Sequence, residues 1–125
     1  MARAQPSSGN PFAGDLLERS AAGYAGFAAS LMQDRDPGLR ERQGPNALAS
    51  WRTHLTQRVL ELAAAVQAGD ARLFLGRVTW SRKAFRARGQ DDQDIRHSIQ
   101  ALRDVLVERL PKPALGLPIE YVDLA

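Results

Sequence analysis

The chain contains no cysteine. That excludes disulfides, thiolate nucleophiles, cysteine zinc sites, iron–sulfur ligation and thioether attachment of a chromophore. No stretch approaches the ~18 apolar residues of a membrane span. The opening residues, MARAQPSSGN, also lack the apolar core of a secretory signal. A cytoplasmic protein with no membrane segment is the expectation. Familiar catalytic spacings are missing as well: there is no serine nucleophile elbow, no glycine-rich phosphate loop after a strand, no HExxH and no Glu-x-x-His pair. The serines stand without a base at a diagnostic distance, and the carboxylates fall mainly at helix starts and on polar faces. The chain is therefore expected not to be an enzyme. Strand-like alternation and internal repeats are absent too.

Charge of one sign is in only mild excess. Seventeen basic residues against 14 acidic ones give +3, which permits anionic partners without demanding them. A 125-residue chain with 44% hydrophobic and 25% charged residues is the size and composition of one globular domain with its own core.

What the sequence does contain is helical periodicity. Residues 1–10 are small, polar and proline-containing, and read as a disordered lead. Asn10 and Pro11 look like an N-cap followed by proline at the first helical position. From Phe12 a first helix then carries Leu16, Tyr24, Phe27 and Leu31 as its apolar stripe, widened by Leu17, with Ala22, Ala25, Gly26 and Ala29 on the opposite face. That small-residue face is a candidate contact for a second helix. The segment 34–46 reads as a loop from its Pro/Gly pairs. In the second helix Trp51, Leu55, Val59, Leu62 and Val66 form a narrow seam, which Gly69 ends. A third helix runs to Gly89. A fourth starts at DDQD and buries Ile95, Ile99, Leu102 and Leu106 until Pro111 stops it. The expected architecture is an all-α, antiparallel four-helix bundle over residues 11–111, with residues 112–125 as an extended tail.

The third helix is the most unusual. On a helical wheel Leu73, Trp80 and Ala84 share one arc, while Phe74, Val78 and Phe85 share another about 100° away. Two apolar flanks predict a central helix touching two neighbours, with Arg77 and Ser81 directed between them. Arginine is rarely buried unless paired. Arg77 is therefore either an ion-pair partner of a neighbouring helix or a guanidinium for a ligand's carboxylate or phosphate. Arg82, Lys83 and Arg86 form a basic face suited to phosphates. Trp80 and the phenylalanines fall on the other side of the helix, however, where they cannot stack bases presented to that cluster, so nucleic acid is the weakest of the partner readings. His54 flanks the seam of the second helix, one turn before Arg58 and two before Glu61. It is either a hydrogen-bonded, partly buried histidine or an axial ligand. His97 falls on the polar face of the fourth helix.

The succession WRTHLTQRVLELAAAVQAGDARLFLGRVTWSRKAFRARG…DIRHSIQALRDVLVERLP resembles the helical domains that precede cobalamin-binding domains in some bacterial regulators and light sensors. The likeness lies in His54–Leu55 early in one helix, Phe74, Val78 and Trp80 on the next, Arg88–Gly89, and a leucine-rich helix ending at Leu110–Pro111. It covers roughly residues 16 to 111. Related helical sensor domains of stress-response regulators share the stretch Arg86–Gly89. The resemblance implies a helical architecture in a sensory or regulatory setting, and it puts Trp80 where such domains keep an aromatic residue near their cofactor side. His54 or Arg77 would be the polar contact if the chain binds cobalamin or another tetrapyrrole. In such proteins cobalamin is held largely by a following α/β domain with an Asp-x-His-x-x-Gly motif, which this chain does not contain. The leading expectation is a non-enzymatic sensor or regulatory module that packs against a protein partner or a second copy, gated by a small ligand. The alternatives are a stand-alone tetrapyrrole- or other ligand-binding protein and a nucleic-acid-binding accessory protein.

Overall fold

A computed structural model describes residues 8–125, and among these every regular element is a helix. The order is α1 (Pro11–Arg19), α2 (Ala21–Arg35), α3 (Leu39–Gln43), α4 (Ala47–Ala68), α5 (Arg72–Ala87), α6 (Gln93–Arg109) and α7 (Lys112–Leu124). No helix among the described residues is long and apolar enough to cross a membrane.

Asn10 caps α1 as its sequence position predicts: its side-chain oxygen accepts from the Ala13 N–H at 3.0 Å. It also anchors the chain, because its backbone N–H donates to Val66 O at 2.9 Å and its Nδ2 donates to Pro113 O at 2.9 Å. A Cβ on Gly9 would stand 2.1 Å from the Gln67 carbonyl oxygen, so only glycine passes here. Of the lead expected to be disordered over residues 1–10, residues 8–10 thus lie against the end of α4, and residues 1–7 fall outside the described residues.

The first helix of the sequence reading is broken at Ser20, whose φ of −106° and ψ of 10° turn the chain while its N–H still reaches Leu16 O. Its core face also differs from the expected one. Ala21, Ala25, Ala28 and Ala29 are buried with Leu17, Tyr24 and Met32, whereas Phe12 and Phe27 face outward. The Arg109 guanidinium covers the Phe27 ring at 3.5 Å. α2 packs extensively on α4, and its buried residues include four alanines. Of the small-residue face proposed for a partner helix, Ala25 and Ala29 are covered from within the chain, Gly26 is half-buried and Ala22 stays exposed.

Helix α4 is the centre of the fold, with α1, α2, α5 and α7 around it and α6 packed on α2. It ends in a Schellman motif. Gly69 takes φ 68°, its N–H bonds Val66 O, and the Asp70 N–H bonds Ala65 O at 3.0 Å. The two seams read from sequence are confirmed: Trp51, Leu55, Val59 and Leu62 share one core with Ile95, Ile99, Leu102 and Leu106.

Two expectations are corrected. Residues 112–124 are not an extended tail but α7, which buries Ala114, Pro118, Tyr121 and Val122 at helical spacing. Its prolines are tolerated for two reasons. Pro113 sits in the first turn, where no N–H is needed, and Pro118 gives up one backbone bond while its ring enters the core. The third helix of the sequence reading is not central. As α5 it lies mainly on α4, burying Phe74, Val78 and Ser81, and leaves Leu73 and Trp80 exposed.

Candidate functional site

His54, Arg58 and Glu61 stand at i, i+4 and i+7 on α4, along one flank of the apolar seam. The antiparallel return of the chain sets α5 beside that flank. Arg58 is only 2% exposed, and its guanidinium organises the interface. Nη1 donates to Glu61 Oε1 at 2.6 Å, while Nη2 donates to Ser81 Oγ at 2.6 Å and to His54 Nε2 at 3.1 Å. Nε is buried without a hydrogen-bond partner. Burial pulls the Arg58 pKa below its ordinary value, Glu61 opposes that, and the like charge of Arg77 adds to it. Two cations thus share the site with one nearby carboxylate.

Because arginine only donates, His54 Nε2 must be the acceptor, which leaves the ring proton on Nδ1. Trp51 meets the imidazole edge-on with centroids 5.0 Å apart, and the Phe85 ring lies 6.3 Å away. Burial, and secondarily the Arg58 charge, holds the His54 pKa down at about 4. The folded protein therefore resists a proton that the unfolded chain accepts near 6.5. His54 contributes its full stability above about pH 6.5. That contribution is lost progressively as the pH falls toward 4 and changes no further below it. The loss is expected to be on the order of 2–3 kcal/mol. Urea melts between pH 7 and pH 4.5 measure it. A His54→Gln variant, which keeps an acceptor for Arg58, should flatten the slope, and an unchanged slope would show that another group is responsible.

His54, Arg77 and Trp80, the three residues singled out from the sequence, line a single cavity of about 270 Å³ together with Arg58, Glu61 and Ser81. Their roles differ from those expected. Trp80 is 62% exposed and stands at the rim rather than in the core. Arg77 is exposed too and makes no salt bridge among the described residues. The buried arginine is Arg58. The sequence does carry a signal for it: a basic residue on the inner flank of α4, an acid three residues on, and a serine on the inner face of α5.

His54 also lines a second cavity of about 360 Å³, with Trp51, Phe85, Arg42 and Arg88 around it. The two cavities share His54 as a lining residue, one on either side of it between α4 and α5.

A constellation the sequence reading did not find joins α3, α4 and α6. Trp51 Nε1 donates to Gln43 Oε1 at 2.7 Å, and Gln43 Nε2 donates to the buried Asp94 at 2.7 Å. Arg42 donates to both Asp94 and Asp36 at 2.8 Å, and this bond holds the Asp36 carboxyl below its usual range. The ligand atoms of Asp36, Asp94 and His97 lie within 4.8 Å of one another, a spacing a cation accepts. Arg42 already neutralises both carboxylates, so the set fits an ion-pair network rather than a metal centre.

The cofactor expectation can be tested on the same geometry. A haem iron or a cobalamin cobalt would have to take the His54 Nε2 lone pair from Arg58. The cavity beside it is at the small end of ligand sites and fits one or two rings rather than a macrocycle. No family model, no curated protein and no solved structure matches this chain, so nothing beyond its own residues ties it to a cobalamin-associated helical domain.

Proposed function

We propose that this chain is a non-enzymatic helical module that works by binding, and that the α4–α5 groove receives a flat, anionic group. The observation that carries this reading is the exposed Trp80 beside the free Arg77, over a cavity in which two guanidiniums face one carboxylate. An indole next to a guanidinium holds such a group by stacking and charge together. The non-enzymatic part is supported by the state of the one hydroxyl and one imidazole present. Both Ser81 Oγ and His54 Nε2 accept from Arg58, so neither is poised against the other as nucleophile and base. The regulatory part follows from Arg58, which ties α4 to α5 through Ser81. An anion in the cavity competes with Glu61 for that guanidinium and loosens or re-seats α5. The scaffold is an antiparallel four-helix arrangement of α1–α2, α4, α5 and α6, with α7 laid across its end.

The test uses the indole N–H resonances, of which the two tryptophans give one each. Phenyl phosphate and naphthalene-2-carboxylate are expected to shift the Trp80 signal saturably, with acetate and inorganic phosphate as controls that do not. Arg77→Gln should weaken this binding at least about tenfold, the loss of one charge-assisted contact, with an unchanged melting temperature. A silent Trp80, or undiminished binding by Arg77→Gln, would remove the proposal.

A further inference from the structure

Resting on the reading of the groove as a site for flat anions, we propose that the group it takes is one nucleotide of a single-stranded nucleic acid lying along α5. Residues 71–90 include Arg72, Arg77, Arg82, Lys83, Arg86 and Arg88 and no aspartate or glutamate. The net charge of the whole chain is only +3, so the rest of the molecule is net acidic and the positive field is concentrated on this helix. Asp70 holds Arg72, and Asp92 approaches Arg86 at 3.7 Å. Arg77, Lys83 and Arg88 are exposed and form no salt bridge among the described residues.

The placement of the ring completes the argument. At 3.6 residues per turn, Arg77 and Lys83 lie about 60° to either side of Trp80, and Arg88 lies on the Arg77 side. The indole therefore projects between rows of cations. The sequence argument against nucleic acid set Trp80 across the helix from Arg82, Lys83 and Arg86; the exposed indole has Arg77 and Lys83 as its neighbouring cations instead. An aromatic ring between cations that follow a backbone is the arrangement that holds single strands, because every base has a face to stack. A duplex keeps those faces hidden. An acidic peptide would satisfy the cations but offers nothing flat to a protruding indole. From Arg77 to Arg88 the helix rises about 16 Å, the reach of a few nucleotides. His54 lines both cavities, the one at Arg77 and Trp80 and the one at Arg88, and Trp51 and Phe85 line the second.

The experiment titrates the intact chain with thymidine monophosphate, a four-residue and a twelve-residue oligothymidylate, a twelve-base-pair duplex and polyglutamate. Tryptophan fluorescence and the Trp80 indole resonance are the readouts for the unaltered indole, and the anisotropy of a dye-labelled twelve-mer is the readout for the Trp80 variants. The expected result is quenching of Trp80 by the oligomers, with affinity rising at least tenfold from monophosphate to twelve-mer. The slope of log affinity against log salt should become shallower by about 0.7 for each of Arg77→Gln, Lys83→Gln and Arg88→Gln. Trp80→Ala should lose about tenfold and Trp80→Phe should retain binding, with all melting temperatures unchanged. If the monophosphate or phenyl phosphate binds and the twelve-mer binds no tighter, the nucleic-acid proposal is overturned and the small-anion reading stands. If none of them perturbs Trp80, both fall. Equal binding of the duplex overturns the single-strand assignment, and equal binding of polyglutamate with the same quenching assigns the surface to an acidic protein instead.

Discussion

Replacing Arg58 with alanine is expected to destabilise the protein by about 3 kcal/mol, at the lower end of the usual cost of breaking a buried ion pair. The guanidinium is 2% exposed and serves three partners on two helices. Its removal leaves Glu61 without a cation, Ser81 Oγ without a donor and a cavity where the side chain stood. Glu61 keeps 15% side-chain exposure, so water relieves part of its charge and holds the cost to the lower figure. Replacing both members of the pair with apolar residues, Arg58→Met with Glu61→Leu, should cost less than Arg58→Ala alone, because no charge is then stranded. The alanine variant should also raise the His54 pKa toward its ordinary value, since Arg58 is one of the two causes of its depression. Chemical denaturation and a histidine titration by NMR check both statements. A loss under about 1 kcal/mol would show that Arg58 is a solvated surface cation after all.

That buried arginine marks where the sequence was legible and where it was not. The seams of α4 and α6 were plain because each repeats large aliphatic residues at helical spacing, and no other arrangement buries them all. The end of α4 was equally plain, since Gly69 supplies the left-handed residue a Schellman motif requires. In α1–α2 the pattern misled. Of the stripe read as the core face, Leu17 and Tyr24 are buried and Leu16 and Leu31 pack against the core, but alanines share that core, and Phe27 was left to Arg109. Periodicity cannot weigh an interhelical distance against side-chain bulk. α7 was hidden by its prolines, whose cost is local, while the burial that offsets it depends on α1, α4 and α6 being in place. The same reasoning explains the site. Trp80 and Phe85 are both aromatic residues of one helix, and only the number of neighbours around α5 decides which is covered. His54, Arg77 and Trp80 line one cavity between α4 and α5. Which of them was buried, and that Arg58 stood beneath, depended on α5 being an edge helix.

The other large effect is expected at Trp51. Trp51→Ala should cost about 3–5 kcal/mol, the range for deleting a large buried aromatic side chain. The indole is 3% exposed, packs edge-on to His54 and tilted against Phe85 at 5.8 Å, and fills the junction of α3, α4 and α5. Its N–H does further work. It fixes the Gln43 amide, which fixes the buried Asp94 at the start of α6, which with Asp36 fixes Arg42. Trp51→Phe separates the two contributions, since it keeps most of the ring contact and removes the donor. Its expected cost is about 1–2 kcal/mol, one lost hydrogen bond with Gln43 Oε1 left unpaired. In the phenylalanine variant hydrogen exchange should accelerate first in α3 and the opening turn of α6, and only later in α2. A phenylalanine variant that costs almost nothing would mean that packing alone matters at this position and that the Gln43–Asp94–Arg42 chain is held by its own ion pairs, whereas equal costs would assign the whole effect to the lost N–H. A phenylalanine variant close to the alanine one in exchange but not in stability would instead show that the network orders α3 without contributing to the global fold.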